Sequence, residues 1–126
     1  MNLQIGTDLV EIARIEAVLA RHGQRFLDRV YTAAEQAYFR GRPAELAARF
    51  AAKEATMKAL GTGLVGVSWR EVEVLSDRRG RPLIVLHGRA AARAAALGLA
   101  HFAVSLSHER QVAIAMVVAW GQEVDP

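Results

Sequence analysis

The alanine-rich segment Arg49–Gly63, with the sequence RFAAKEATMKALGTG, constrains the fold of this chain more than any other stretch. At about 100° per residue it predicts a helix that ends at glycine. One arc of about 100° on this helix and the turn before it mixes cationic with apolar side chains: Leu46, Arg49, Phe50, Lys53, Met57 and Leu60. Cations in an apolar stripe are costly unless an anion meets them. The segment is therefore a candidate phosphate site.

Glu54 and Lys58 lie at the edge of this arc, one helical turn apart. A Glu–Lys pair at this spacing ordinarily stabilises a helix surface by roughly 0.2–0.5 kcal/mol, and local spacing favours that interpretation. A carboxylate beside cations would also suit a metal and a phosphate. The turn Gly61–Gly63 has two interpretations as well, a helix C-cap or a close approach to a phosphate. It lacks the pattern of a P-loop.

The composition is typical of a globular protein, and we predict one domain over residues 1–126. The chain is 52% hydrophobic and has no cysteine, which excludes disulfides and thiolate metal sites. The absence of cysteine fits a cytoplasmic location, and the start of the chain lacks the basic region of a signal peptide. No apolar run approaches the roughly 20 residues of a membrane span, so no membrane partner is expected. The net charge of +3 suits nucleic acid, a phosphate-rich cofactor or an acidic protein about equally.

The residue pattern predicts an α+β fold, with helices concentrated in the N-terminal half and a small antiparallel sheet. Helices are predicted at 11–22, 26–30, from Thr32 onward with a Thr32–Glu35 capping box, at Pro43–Leu60 and at Gly88–Leu97. Strands are predicted at Leu3–Val10, Glu71–Leu75, Pro82–Leu86, Phe102–Ser107 and Val112–Trp120.

Asp8 ends the polar side of the first predicted strand and has two interpretations of about equal weight. It suits the N-cap of the following helix, because Asp is a favoured capping residue. If it meets Glu54, two carboxylates with waters and phosphate oxygens would make a typical Mg²⁺ site. Sequence spacing alone does not bring the two together.

The other polar groups are less specific. Ser105 and Ser107 precede His108, but without a GxSxG elbow a serine hydrolase is disfavoured. His108, at a strand end, is more typical of a ligand contact or a turn. Arg14 and Arg21 flank an apolar position on the first helix, an arrangement that suits an acidic amphipathic helix of a partner.

Taken together, five motifs have a specific order: IGTDLVEIARI, RFAAKEATMKALGTG, SWREVEV, GRPLIVL and VSLSHERQVAIAMVV. In this order the chain resembles the holo-acyl-carrier-protein synthases, the small bacterial 4'-phosphopantetheinyl transferases, along essentially its whole length. The resemblance implies transfer of phosphopantetheine from coenzyme A to a serine of apo-acyl carrier protein, with release of adenosine 3',5'-bisphosphate. It also implies a role in fatty acid biosynthesis. A homotrimer with active sites between subunits follows from the resemblance alone.

The resemblance assigns roles to the candidate residues. It implies that Asp8 and Glu54 bind Mg²⁺ and that Lys58 stabilises or protonates the leaving group. Contacts to coenzyme A phosphates are implied for Arg49, Lys53 and His108. The face of Arg14 and Arg21 would meet the carrier protein. Either a carboxylate or a metal-bound water could take the serine proton.

Two other classes of protein compete with this interpretation. A basic nucleic-acid-binding domain would bind oligonucleotides in a salt-sensitive way and would not depend on Asp8. The aromatic content of 6% gives this class only weak support, because bases stack on aromatic side chains. A structural trimer module without activity would have no need of Asp8, Glu54 and Lys58 together. We therefore expect an enzyme that does not bind nucleic acid.

Overall fold

A computed structural model describes residues 1–124 of the chain. The elements follow in the order β1 (Asn2–Glu11), α1 (Ile12–His22), α2 (Gln24–Val30), α3 (Ala33–Phe39), α4 (Pro43–Leu60), β2 (Val72–Ser76), β3 (Pro82–Leu86), α5 (Gly88–Leu97), β4 (His101–His108) and β5 (Val112–Gly121). A short 3-10 turn, Trp69–Glu71, precedes β2. The predicted α+β class is confirmed, and each predicted element is present with ends shifted by a few residues at most. None of the helices in this part of the chain combines the length and hydropathy needed to cross a bilayer.

The strands form two antiparallel sheets. β5 lies between β1 and β4 in a three-stranded sheet, while β2 and β3 form a separate hairpin. The carboxylate of Asp77 closes the hairpin turn by accepting hydrogen bonds from the backbone N–H groups of Arg79 and Arg81. At the start of α3 the predicted capping box of Thr32 and Glu35 is confirmed.

Helix α4 packs on the inner face of the three-stranded sheet, and alanine sets how closely it approaches. Its buried small side chains are Ala47, Ala48, Ala51, Ala52, Ala55 and Ala59. They share one cluster with Ala113 and Ala115 of β5, while Ala119 of the same strand lies in a second cluster with Met57 and Leu60. Alanine is also the best helix former, so the same composition serves the local structure and the close packing. The centre of the fold is therefore a helix pressed against a sheet.

The outer face of the same sheet is uncovered and apolar. Side chains of β1 and β5 that point away from α4 are 41–60% exposed: Leu3, Ile5, Leu9, Ile114 and Met116. The strand register sets Ile114 opposite Leu9 and Met116 opposite Thr7, so these side chains form one continuous patch. Adjacent large apolar residues in such a patch are typical of an interaction surface.

Candidate active site

The site forms where β1 lies directly against α4. Gly6 of β1 is buried there, and a Cβ atom at this position would lie 1.8 Å from the carbonyl oxygen of Ala55. Only glycine permits this approach of one backbone to another. Because side chains alternate along a strand, Asp8, two residues further on, points to the same side as Gly6. The spacing of Gly6 and Asp8 thus carries a carboxylate onto the helix.

Asp8, Glu54 and Lys58 converge at this contact. The ammonium nitrogen Nζ of Lys58 lies 3.0 Å from Oδ1 of Asp8 and donates to the carbonyl oxygen of Thr7 at 2.9 Å. Glu54, one turn before Lys58 on α4, lies close enough to Asp8 for the two negative charges to interact. The structure therefore brings Asp8 together with Glu54 and Lys58, which lie 46 and 50 positions further along the chain, as the metal-site interpretation requires.

The surroundings of Glu54 suit a divalent cation. Burial raises the pKa of the Glu54 carboxyl above its ordinary value, and repulsion from Asp8 raises this pKa further, while Lys58 and Arg14 oppose the rise. A cation between the carboxylates would relieve that repulsion. Within residues 1–124 there is no cluster of three or more His, Cys, Asp or Glu side chains that could hold a metal. Because protein Mg²⁺ sites usually use one or two carboxylates with waters and phosphate oxygens, Asp8 and Glu54 as a pair could hold the ion.

A cleft of about 270 Å³ opens beside these residues. Its lining is Glu54, Met57, Lys58, Gly63, Leu64 and Trp69. The indole of Trp69 stacks on the ring of Phe50, with 4.7 Å between ring centroids and 28° between planes. The cleft has a charged wall on α4 and an apolar wall on the following loop. Since small-molecule sites usually measure about 300–1,000 Å³, this cleft suits one part of a larger ligand.

Lys53 does not belong to this cleft. Its side chain is fully buried, and Nζ donates to Oε1 of Glu35 at 2.9 Å and to the carbonyl oxygens of Trp69 and Val72 at 3.1 and 2.5 Å. The anion that meets this cation in the apolar stripe is a buried glutamate of the same chain. An ammonium group has three donors, and all three are used. The prediction that Lys53 contacts a ligand phosphate is therefore wrong.

Arg49 is also mostly buried, with 6% of its surface exposed. Its guanidinium Nη1 lies 2.6 Å from Oε2 of Glu45, and Nη2 donates to the hydroxyl of Ser76 at 3.1 Å. The guanidinium also lies 4.6 Å from the ring centroid of Phe39. Burial lowers the pKa of Arg49, and the negative charge of Glu45 opposes that shift. A direct phosphate contact of Arg49 stays a prediction, and the structure gives its guanidinium other partners.

His108 lies at the end of β4, and its side chain is 42% exposed. Its ring nitrogen Nε2 is 3.9 Å from Oε1 of Glu45, beside a second cleft of about 550 Å³. The walls of that cleft include Ile12, Glu16, Pro43, Ala44, Glu109 and Arg110. Glu45 and Glu54 are separated by roughly 13 Å along the axis of α4, given its rise per residue. Within one chain, His108 is therefore not brought to the Asp8–Glu54 pair.

Arg14 and Arg21 lie exposed on α1, on either side of the half-buried Val18. Arg14 is close enough to Glu54 for its positive charge to act on that carboxyl. Small clefts around Val18 are bordered by further basic side chains, His22, Arg25 and Arg29. The predicted basic face is thus present, and one end of it adjoins the candidate metal site.

Comparison with known proteins links the chain to one family over most of its length. The family model described as the 4'-phosphopantetheinyl transferase superfamily matches residues 4–117. The chain belongs to this superfamily. Holo-[acyl-carrier-protein] synthase of Herpetosiphon aurantiacus is 52% identical over an alignment of 126 residues, which covers 94% of this chain and 99% of the relative. The synthase of Chloroflexus aurantiacus is 50% identical, with 91% of this chain and 96% of the relative covered.

Solved structures of the superfamily share the fold. The crystal structure of Helicobacter pylori holo-[acyl-carrier-protein] synthase in complex with coenzyme A gives a TM-score of 0.85 at 32% identity, and covers 92% of this chain and 99% of that chain. The synthase of Neisseria meningitidis gives a TM-score of 0.85 at 37% identity, and covers 93% and 97% of the two chains. The resemblance drawn from the five sequence motifs is confirmed.

Sequence reasoning missed four residues that shape this transferase site. Gly6 was interpreted only as part of a strand, although a glycine within a strand is a known signal of close backbone approach. Trp69 has no sequence signal of a site residue, and it both packs on Phe50 and lines the cleft. Glu35 lies 18 positions from Lys53, so no local spacing rule pairs them. Glu45 and Arg49 have the i,i+4 spacing that favours an ion pair on a helix, and this was the available signal.

Proposed function

We propose that the chain is a holo-[acyl-carrier-protein] synthase, built as a single transferase domain. It transfers 4'-phosphopantetheine from coenzyme A to a serine of apo-acyl carrier protein and releases adenosine 3',5'-bisphosphate. The observation that carries this proposal is the convergence of Asp8, Glu54 and Lys58 in a chain about half identical to synthases of that name. The absence of cysteine is consistent with a cytoplasmic setting, which we include in the proposal.

Asp8 and Glu54 are the proposed ligands of Mg²⁺. When bound, the ion would neutralise charge on the pyrophosphate oxygens of coenzyme A during transfer. The two carboxylates come from different elements, β1 and α4, whose spacing is fixed by the Gly6–Ala55 contact. Phosphoryl transfer depends mostly on positioning and charge stabilisation, which is what this rigid pair provides.

Lys58 is the proposed cation at the leaving group. Its side chain is 55% exposed, so the ammonium can turn from Asp8 toward a bound phosphate, while the Asp8 carboxylate, 13% exposed, would face the proposed Mg²⁺. As the carrier serine oxygen bonds to the β-phosphorus, the bond from phosphorus to the adenosine bisphosphate oxygen breaks. Negative charge then develops on the departing oxygen, and the ammonium of Lys58 would stabilise or protonate it.

One incubation tests the reaction. The protein is mixed with coenzyme A, Mg²⁺ and apo-acyl carrier protein, and the intact mass of the carrier is measured. We expect a gain equal to one phosphopantetheine arm, which chelation of the metal prevents. Glu54→Gln should keep the wild-type circular dichroism spectrum and lose metal-dependent transfer. Full transfer by that variant would contradict the metal assignment. No gain in carrier mass with the wild-type protein would contradict the proposed reaction.

We also propose that the chain forms a homotrimer. The support is the uncovered apolar face of the three-stranded sheet, to which Ile5 and Leu9 contribute at 60% exposure each. A patch of this kind is unfavourable in water unless another chain covers it. Light scattering coupled to gel filtration should give three times the chain mass for the wild type. Ile5→Glu, which introduces a charge into the patch, should give a single chain.

In this trimer each active site would use two chains. The support is the distance within one chain between the cleft at His108 and the pair Asp8–Glu54. Because the two are apart, a ligand that contacts both needs one of them from a neighbouring chain. A mixed trimer tests this. Glu54→Gln and His108→Ala chains, each impaired alone, should regain activity after refolding together, because some interfaces then combine two intact halves. If mixing restores nothing, both halves of the site belong to one chain.

The basic face of α1 is the proposed docking surface for the carrier protein. Arg14 and Arg21 surround an apolar contact at Val18, and Arg14 lies near the metal ligands. Charges at the rim of an interface mainly raise the association rate and are screened by salt. We expect Arg14→Glu to raise KM for the carrier and to leave KM for coenzyme A unchanged.

A further inference from the structure

The buried cation Lys53 lies next to the proposed metal ligand Glu54 in sequence, and the proposed reaction does not use it. Two of its three acceptors, the carbonyl oxygens of Trp69 and Val72, lie at the two ends of the 3-10 turn Trp69–Glu71. The third acceptor is Glu35 of α3. Lys53 therefore contacts both ends of the turn and connects the turn to α3 and α4.

Glu35 extends this link to the neighbouring elements. It is fully buried, and its Oε1 also accepts from the backbone N–H of Thr32 at 2.7 Å, while Oε2 accepts from the backbone N–H of Val74 at 2.8 Å. The Lys53–Glu35 pair thus connects α3, α4 and β2 around the 3-10 turn. Such a pair is often no more stabilising than apolar residues of equal volume, but its hydrogen bonds are directional.

Trp69 stands between this pair and the cleft. Its carbonyl oxygen accepts from Lys53, and its indole stacks on Phe50 and lines the cleft beside Glu54. The first part of the loop before it is loosely held, whereas Val67 is buried and the Glu71 carboxylate accepts from the backbone N–H of Ser68 at 2.8 Å. Residues 61–68 contain three glycines with positive φ, and the side chains of Leu64 and Val65 are 53% and 85% exposed. The carbonyl group of Trp69 is therefore held from the Lys53 side, in addition to the Phe50 stacking and the Ser68–Glu71 cap that help to place the residue.

We propose that Lys53, held by Glu35, is a positioning residue for the transfer reaction: it fixes Trp69 and thereby the apolar wall of the cleft that receives part of coenzyme A. This inference rests on the proposed function, which supplies coenzyme A as the occupant. Lys53 acts through Trp69 and touches no ligand. The residue is distinct in this respect from Lys58, one turn and a half further along α4.

A double-mutant cycle tests whether Lys53 acts through Trp69. The pair variant Lys53→Met/Glu35→Gln removes both charges and keeps similar side-chain volumes. We expect it to raise KM for coenzyme A by about five- to tenfold with a smaller change in kcat, a range typical of coupled neighbours. In a Trp69→Ala background the same replacement should change KM by less than about twofold, because the wall it positions is gone.

A matched control separates positioning from stability. Thr56 is equally buried on the same helix, and its hydroxyl donates to the carbonyl oxygen of Ala52 at 2.7 Å, away from the turn. Thr56→Val should lower the melting temperature and leave KM for coenzyme A unchanged. If the pair variant behaves like Thr56→Val, Lys53 is only structural. If its KM effect is equal with and without Trp69, it acts on the ligand directly. Either result overturns the proposal.

Fluorescence gives a second measurement that needs no kinetics. Trp120→Phe leaves Trp69 as the only tryptophan. In that background the pair variant should make Trp69 more accessible to acrylamide, and unchanged quenching would overturn the proposal. Should the pair variant fail to fold, Lys53→Arg takes its place, since the larger planar group cannot repeat all three hydrogen bonds. If the wild type transfers nothing, the proposed function fails, and the quenching experiment still tests the link to Trp69.

Discussion

Helix α4 carries two lysine–carboxylate pairs whose surroundings are opposite. Lys53 and Glu35 are both fully buried, with Nζ and Oε1 2.9 Å apart. Lys58 and Asp8 lie at nearly the same separation, 3.0 Å, but the lysine is 55% exposed and the carboxylate 13% exposed. In the buried pair every ammonium donor is bound to protein. In the other pair the ammonium can leave its partner and return to water.

The difference shows that burial, and not charge or helix position, decides which cation is free to act. Both lysines follow from the same alanine-rich segment, and both meet a carboxylate from another element. A desolvated pair tolerates no change of partner, because an unpaired buried charge is strongly destabilising. A cation that is half exposed, as Lys58 is, exchanges partners at little cost. The first therefore suits positioning and the second suits catalysis.

The largest expected effect is on the free energy of unfolding, when the anion of the buried pair is removed and compared with removal of the anion of the other pair. Glu35→Gln leaves the charge of Lys53 buried and unpaired, so we expect the free energy of unfolding to fall by about 3–5 kcal/mol. Asp8→Asn removes an anion beside an exposed cation and should change it by less than about 1 kcal/mol. Urea denaturation of both variants measures the contrast. Equal losses would mean that the two pairs do not differ as described.

The next effect concerns the catalytic side of the comparison. Lys58→Met should lower kcat for transfer by about 10²–10³-fold, as for other groups that stabilise charge in a transition state. Its free energy of unfolding should fall by less than that of Glu35→Gln, because the lysine that is removed is 55% exposed. Mass-spectrometric rates on protein of verified folded content check this. Lys58→Arg, which keeps the charge, should retain more activity than Lys58→Met.

Gly6→Ala tests the contact that brings Asp8 to α4. The added Cβ would meet the carbonyl oxygen of Ala55, so strand and helix must separate. We expect a loss of about 1–3 kcal/mol in the free energy of unfolding, typical of overpacking, together with weaker Mg²⁺ dependence of transfer. Gln4→Ala, at an exposed position of the same strand, is the control and should change neither. Wild-type metal dependence in Gly6→Ala would show that the contact does not set the carboxylate pair.

The smallest effect involves a carboxylate held by the backbone and not by a lysine. Hydrogen bonds from the backbone N–H groups of Ser68 and Arg89 lower the pKa of Glu71 from 4.5 to about 2. Because the folded pKa is depressed, this stabilisation is present above about pH 4.5 and is lost as pH falls toward 2. Glu71→Gln should therefore flatten the acid limb of a plot of unfolding free energy against pH. An unchanged slope between pH 4.5 and 2 would contradict the assignment.

Much of the fold was predictable because its signals are local. The helix at Pro43–Leu60 has a proline in its first turn and a glycine after its end, and no glycine or second proline interrupts it. The capping box at Thr32 and the hairpin turn at Asp77 are equally local. The apolar side of β1 was harder to place, because alternation defines two faces without stating which one packs on the helix.

The site was predictable only in part, since its key contacts join distant positions. Asp8 and Glu54 were assigned by resemblance, and no spacing rule could have paired them. Lys53 was misassigned because a cation in an apolar stripe signals an anion without identifying it. Here the anion is Glu35, whose capping role at α3 masked its second role as a buried counter-ion.

The contact at Gly6 has a consequence for ion choice. Two main chains touch there, so the separation of the carboxylates on β1 and α4 is governed by the docking of a whole strand on a whole helix. Rotation of the two side chains could adjust their separation only within the limits that this docking sets. Discrimination between ions of similar charge depends on the size and rigidity of the site. In this protein, a residue without a side chain would therefore help to select the metal.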